Sequence, residues 1–189
     1  AMLIANEDGS VYLNTGLAEN GQGLKTAYAM IVAESLGVCY EAVSFYGTNT
    51  HSIPDCGMTV ASRGTVMGAQ SVKKAGLKLN QIMRQNAIEL GFFSDTAKIE
   101  EACGLAAGSL NGLVVSDPDQ LELKQSEFYL KDYPEFRVPF GAVTGSGLWA
   151  GKQMSVFEWF TPPPCIQDHH TGQGTAAPTY AYGCVVAEV

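Results

Sequence analysis

Positive charge is scarce in this 189-residue chain: eleven Lys and Arg stand against nineteen Asp and Glu, a formal net charge of −8 at pH 7. A surface that tracks phosphate backbones needs the opposite balance, so nucleic acid is excluded as a partner class, and adhesion to an anionic membrane goes with it. Long apolar runs are missing too. Mean hydropathy is only +0.04, no stretch is long enough to span a bilayer, and no basic segment leads an apolar core as in a secretion signal. A soluble, cytoplasmic protein is expected.

The usual catalytic spacings are absent as well. The five cysteines (Cys39, Cys56, Cys103, Cys165, Cys184) are odd in number and form no Cys-x-x-Cys pair, which argues against a disulfide scaffold and a zinc ribbon and for a reducing compartment. Histidine occurs three times, as His51 and the adjacent His169 and His170, without the i, i+4 spacing that puts two ligands on one helix face. Gly145-Ser146-Gly147 is only a partial echo of the serine-hydrolase elbow. The sequence therefore nominates no catalytic residue and no metal ligand.

What the chain does have is glycine in informative places. Gly21-Gln22-Gly23-Leu24-Lys25-Thr26 and Thr59-Val60-Ala61-Ser62-Arg63-Gly64-Thr65-Val66-Met67-Gly68 both set flexible backbone and small hydroxylated residues just before helical patterns. Exposed N–H groups and the positive end of a helix dipole attract anions there, and glycine lets the anion approach without a side chain intervening. In an acidic chain that attraction has to be local, from backbone amides and from cations such as Lys25 or Arg63.

These two segments, with Asn49-Thr50-His51-Ser52-Ile53-Pro54 between them and Thr171-Gly172-Gln173-Gly174, Tyr180-Ala181-Tyr182-Gly183 and Ala187-Glu188-Val189 near the end, resemble the molybdopterin-binding subunit of the xanthine oxidase family of molybdenum hydroxylases. The match runs in order along nearly the whole chain. The resemblance implies that Gln22 and the backbone of Ala61 and Ser62 contact a molybdopterin cofactor, with Gly21, Gly23 and Thr59 shaping the two loops. It also implies a parent enzyme that hydroxylates N-heterocycles or aldehydes with water and passes electrons to 2Fe-2S clusters and FAD on other domains or subunits. Small-molecule substrate, the remainder of the molybdopterin subunit, and the flavin and iron–sulfur subunits are the implied partners. The family's catalytic glutamate sits in a Gly-Glu-x-Pro type segment that has no counterpart here: Glu19, Glu158 and Glu188 all lie in other contexts. The chain thus reads as a fragment, inactive alone. Its ends agree with that reading, Ala1-Met2 resembling a cloning remnant and residues 184–189 an apolar run cut short.

The expected architecture is α+β, because hairpins and long helices alternate irregularly. Residues 2–5 and 10–14 around Asp8-Gly9 predict a hairpin with a two-residue turn. Leu24, Tyr28, Ile31 and Val32 predict a helix stopped by Gly37, and residues 41–46 a strand. Val72, Ala75, Leu79, Ile82 and Met83 predict a long helix up to Gly91, and residues 96–107 another. Residues 121–124 and 128–131 suggest a second hairpin, 140–150 a short glycine-interrupted helix, and 153–159 a strand ended by Pro162-Pro163-Pro164. From there to Ala177-Pro178 the chain is too poor in periodicity to predict an element. A composition shift near Leu110 divides the single fragment, 1–189, into a cofactor-loop half, 1–109, and a strand-rich half, 110–189.

Two rival readings stay open. In one, the glycine loops are ordinary turns and the chain is a non-catalytic structural or assembly module. In the other, Cys56, beside a helix N-terminus that would lower a thiol pKa, is a nucleophile with His51 as its local base. The second Gly-Gln-Gly, residues 172–174, has no helix after it and reads more simply as turn chemistry.

Overall fold

A computed structural model describes residues 1–45, 48, 49, 51–53, 55–175, 179 and 183–188. Thr50, Pro54, Tyr180, Ala181, Tyr182 and Val189 of the motifs above, and Ala177-Pro178, lie outside the described residues. Strand β1 (Met2–Ala5) pairs antiparallel with β2 (Val11–Asn14), with Leu3 opposite Leu13 and Ala5 opposite Val11. All four are buried, so alternation puts one face of the hairpin in the core. The turn differs from the two-residue expectation: the Asn6 N–H bonds the Ser10 carbonyl at 2.8 Å, leaving Glu7, Asp8 and Gly9 between them. Gly9, at φ 84°, takes the left-handed third position that such a loop requires.

Helix α1 (Leu24–Val32) buries Leu24, Tyr28, Ala29 and Val32, each large side chain contributing on the order of 2 kcal/mol of apolar burial. It widens into a π-type turn at Ala33–Gly37 and returns through β3 (Val43–Phe45), which lies parallel to β2. The strand starts later than the residue 41 expected because Tyr40–Ala42 form a 3₁₀ turn, and Tyr46, the last residue expected in it, lies outside the described residues. Helix α2 (Ala69–Glu89) is the central pillar. Its face of Val72, Ala75, Leu79 and Met83 is fully buried, and it packs on α1, β1 and the later strand Ser155–Phe157. Gly76 lets it approach closely, since a methyl there would collide with Ser35.

Helix α3 (Thr96–Ala102) is capped by the Asp95 carboxylate and stops before Gly104, which is left-handed at φ 64°, rather than running to 107. The buried Glu100 carboxylate accepts the N–H groups of Gly108 (2.8 Å) and Leu110 (2.7 Å), ordering the connection that follows. Strands β4 (Leu121–Lys124), β5 (Glu127–Leu130) and β6 (Tyr133–Pro139) form an antiparallel meander. Its first turn, Gln125-Ser126, has positive φ at both residues, 51° and 63°, as a tight hairpin demands. Helix α4 (Phe140–Trp149) leads to β7 (Ser155–Phe157), which adds to the free edge of β1 and completes a sheet ordered β3-β2-β1-β7.

The tail forms a ribbon that periodicity does not reveal: β8 (Ile166–Gln167) pairs with β9 (Gly174–Thr175) around a turn knitted by the Asp168 carboxylate. All four strand residues are exposed, which is why no apolar pattern marks them. Gly174 of the second Gly-Gln-Gly is there because a side chain would strike the Ile166 carbonyl. Among the described residues, four α-helices packed on small sheets, one of them mixed, make an α+β fold.

Candidate functional site

The two glycine loops lie side by side, joined by a hydrogen bond between Ala18 and Thr59. The first follows β2 and turns into α1, with Gly21 (φ 98°) and Gly23 (φ 80°) in the left-handed region and nothing near the place a Cβ would occupy. Its N–H groups do hold an anion, and that anion is the chain's own. Glu19 Oε1 accepts from Gly21 (2.8 Å) and Gly23 (3.0 Å), and Oε2 accepts from the Lys25 N–H at 2.9 Å. The bond from the Lys25 N–H is the largest cause holding this carboxyl below the ordinary glutamate range; desolvation opposes it next, and the bonds from Gly23 and Gly21 add to the lowering. The Gln22 amide closes the same loop, donating to the Ala18 carbonyl at 3.0 Å and accepting the Asn20 N–H at 2.6 Å.

The second loop is built differently. Thr59 Oγ1 accepts the Ala18 N–H at 2.8 Å, tying the second loop directly to the first. Ala61 then sits at φ 47°, a left-handed conformation that costs a non-glycine residue about 1 kcal/mol or more and often marks a site where backbone is aimed at a ligand. A 3₁₀ turn, Ala61–Arg63, and a π-type turn, Gly64–Gly68, follow before α2 begins. Wide turns of this kind recur at functional sites. The fully buried Tyr28 donates its hydroxyl to the Gly64 carbonyl at 2.9 Å, and burial pushes that phenol's pKa up. At Gly68 a methyl would collide with both Tyr28 Oη and Leu17 Cδ1, so the second loop is pressed against the first without room for a side chain.

A cleft of about 390 Å³ opens between this loop, the end of β2 and the chain after β7. That is within the range of small-molecule sites. Thr15, Ala61, Ser62, Arg63, Trp159 and Thr161 are among its walls. A second cavity of about 340 Å³ adjoins it, sharing Ala1, Thr15, Cys56 and Trp159 and reaching Asn14, Ser52 and Phe157. Asn14 Oδ1 is a buried acceptor with no hydrogen-bond partner among the described residues, in the wall of that second cavity. An orphaned acceptor costs on the order of 1–3 kcal/mol unless something donates to it.

Of the residues nominated from sequence, Ala61 and Ser62 line the cleft, and Thr59 links its two loops. Gly21, Gln22 and Gly23 line neither cavity; they form the turn behind Leu17, which does. Lys25 and Arg63 separate in the structure. Lys25 lies over the Phe45 ring, 5.7 Å from its centroid, whereas Arg63 faces the cleft. Cys56 lines both cavities, but His51, the base a thiol mechanism needs, lines neither. Residues 172–174 are also outside the walls. The described residues include no group of three or more metal-ligating side chains and no helix long and apolar enough to cross a membrane. Glu19 was the residue missed from sequence; an acid just ahead of a helix N-terminus was the available signal.

The profile of the molybdopterin cofactor-binding domain matches residues 1–189. A nicotinate dehydrogenase polypeptide of Pseudomonas putida is 29% identical over 134 residues, 70% of this chain and 11% of that protein. A probable xanthine dehydrogenase polypeptide of Bacillus subtilis is 30% identical over 114 residues, 60% of this chain and 15% of that one. Among solved structures, quinoline 2-oxidoreductase from Pseudomonas putida superposes with a TM-score of 0.59 at 23% identity, covering 79% of this chain and 16% of that one. CO dehydrogenase from Oligotropha carboxidovorans gives 0.62 at 18% identity, covering 86% and 18%. The chain therefore spans less than a fifth of each of these relatives. With its α+β fold and its profile matched end to end, the chain belongs to the molybdopterin cofactor-binding domain family.

Proposed function

We propose that the cleft beside the second glycine loop is one wall of the cofactor site of a larger molybdenum-dependent oxidoreductase, in which Ala61 and Ser62 face the cofactor and Gly21, Gln22, Gly23 and Thr59 shape and brace the two loops behind it. The observation that carries this reading is the left-handed Ala61 at the mouth of a 390 Å³ cleft lined by Ser62 and Arg63. The donor set fits a phosphorylated pterin. Hydroxyls of Thr15, Ser62 and Thr161 and one guanidinium suit its polar and anionic parts, and the orphaned Asn14 acceptor next door suits a pterin N–H.

Bound there, the cofactor would supply two-electron redox chemistry; this chain would hold and orient it. The parent enzyme would hydroxylate an N-heterocycle or an aldehyde with oxygen from water, nicotinate and quinoline in the relatives' names being N-heterocycles. Electrons would leave through 2Fe-2S and FAD groups on partner domains or subunits in the cytoplasm. The catalytic base would come from outside these 189 residues, so this part alone would be inactive. Exposed Trp149, Trp159 and Phe157 would lie against the rest of the subunit.

Metal and pterin analysis of the full parent protein, purified from its own host, tests this, with Gln22→Ala beside the wild type. Stoichiometric molybdenum that falls in Gln22→Ala supports the cofactor-loop reading. A folded wild-type parent without molybdenum makes a structural or assembly module the better account.

A further inference from the structure

We infer that the phosphate-bearing end of the cofactor is held on the second loop by Arg63, and that Glu19 closes the first loop to phosphate. This rests on the cofactor-site reading above and assigns one group within it. The first loop has the glycines and the helix N-terminus that phosphate sites use, but three of its N–H donors, at Gly21, Gly23 and Lys25, are engaged by the Glu19 carboxylate. A phosphate entering there would have to displace a fixed negative charge or sit beside it, and like charges within a few ångströms repel. Lys25, the cation of that loop, is turned onto the Phe45 ring.

The second loop offers the complement. Arg63 is the one charged side chain among the described residues lining the 390 Å³ cleft, and none of the ion pairs among the described residues engages it. Its guanidinium lies on Gly57, at φ 72°, where a methyl would collide with Nη1, so the glycine creates the seat that aims the fork. Ser62 lines the same wall, as does Ser71, whose hydroxyl donates to the Gly68 carbonyl at 2.7 Å. A planar, always-charged fork beside hydroxyls, with no carboxylate among the cleft's described lining residues, recognises a phosphate or pyrophosphate ester by paired charge-assisted hydrogen bonds.

The test uses the full parent protein and does not depend on turnover. Pterin retained per chain after dialysis is measured for wild type, R63A, R63K and K25A, and binding of inorganic pyrophosphate to the cofactor-stripped proteins is followed by calorimetry. R63A should retain about tenfold less pterin, as loss of a charge-assisted contact implies, and should lose pyrophosphate binding. R63K should fall between, keeping charge without the fork. K25A should match wild type. Where R63A melts below wild type, R63Q replaces it. Wild-type retention by R63A, or an equal loss in K25A, overturns the assignment to Arg63 while leaving the cofactor site intact. A wild type without pterin overturns both.

Discussion

The two glycine loops look alike in sequence and have opposite electrostatic states in the fold. In the first, left-handed Gly21 and Gly23 create a nest of N–H groups, and Glu19 fills it from two residues upstream. In the second, the left-handed residue is Ala61, the wide turn Gly64–Gly68 replaces a regular helix start, and the charged group at the opening is Arg63. The first loop is internally neutralised and serves as a strut. The second, braced by that strut, is left with charge to offer a ligand. A glycine motif ahead of a helix therefore states where donors point, and the nearest side-chain charge decides whether they are available.

If the second loop depends on the first for its shape, the largest effect should come from forcing them apart. Gly68 has an ordinary helical φ of −65°, so propensity alone would make alanine stabilising by about 1 kcal/mol. The added methyl, however, would meet Tyr28 and Leu17, both buried and without room to yield. Overpacking of this kind costs about 1–3 kcal/mol and should prevail. Gly68→Ala is thus expected to be net destabilising in urea unfolding and to lower pterin retention; a gain in stability would show that the loops do not press on one another.

Thr59→Val is a gentler cut. Valine keeps the branched shape and removes the oxygen that accepts the Ala18 N–H. The expected cost is about 1 kcal/mol, with faster hydrogen exchange at Ala18 and little change at the Glu19 nest. Equal acceleration at Gly21 and Gly23 would mean that the first loop is not self-supporting.

Much of this framework was legible beforehand, for identifiable reasons. Helices α1 and α2 announce themselves because their buried residues recur at helical spacing, and Gly37 and Gly91 stop them in the left-handed conformation that few other residues adopt. Strand β6 was not legible: Pro134 and Pro139 argue against a strand, yet at the edge of a meander a missing N–H faces no partner. The β8–β9 ribbon escaped because it buries nothing. At the site, the Ala61-Ser62 segment could be found from its pattern. The choice between Lys25 and Arg63, and the engagement of Glu19, required knowing which side chains fold back on their own loop, a question of tertiary geometry that spacing does not answer.

The smallest effect, and the sharpest on the contrast between the loops, belongs to Glu19→Gln. Glutamine keeps the length and one acceptor oxygen but removes the charge and one of the two oxygens that the Gly21, Gly23 and Lys25 N–H groups share. Because the Glu19 carboxyl is held below its ordinary value in the folded chain, its contribution is fully present above the ordinary glutamate pKa of about 4.3 and is lost as pH falls through the depressed value. Wild type should then exchange the Gly23 and Lys25 amides more slowly than Glu19→Gln from neutral pH down to the ordinary glutamate value of about 4.3, with the two converging only as pH falls through the depressed value below it. The vacated nest should also acquire weak pyrophosphate binding that Arg63→Ala does not remove. Convergence at neutral pH would mean that the carboxylate charge contributes nothing to the first loop, and the contrast with Arg63 would then reduce to geometry alone.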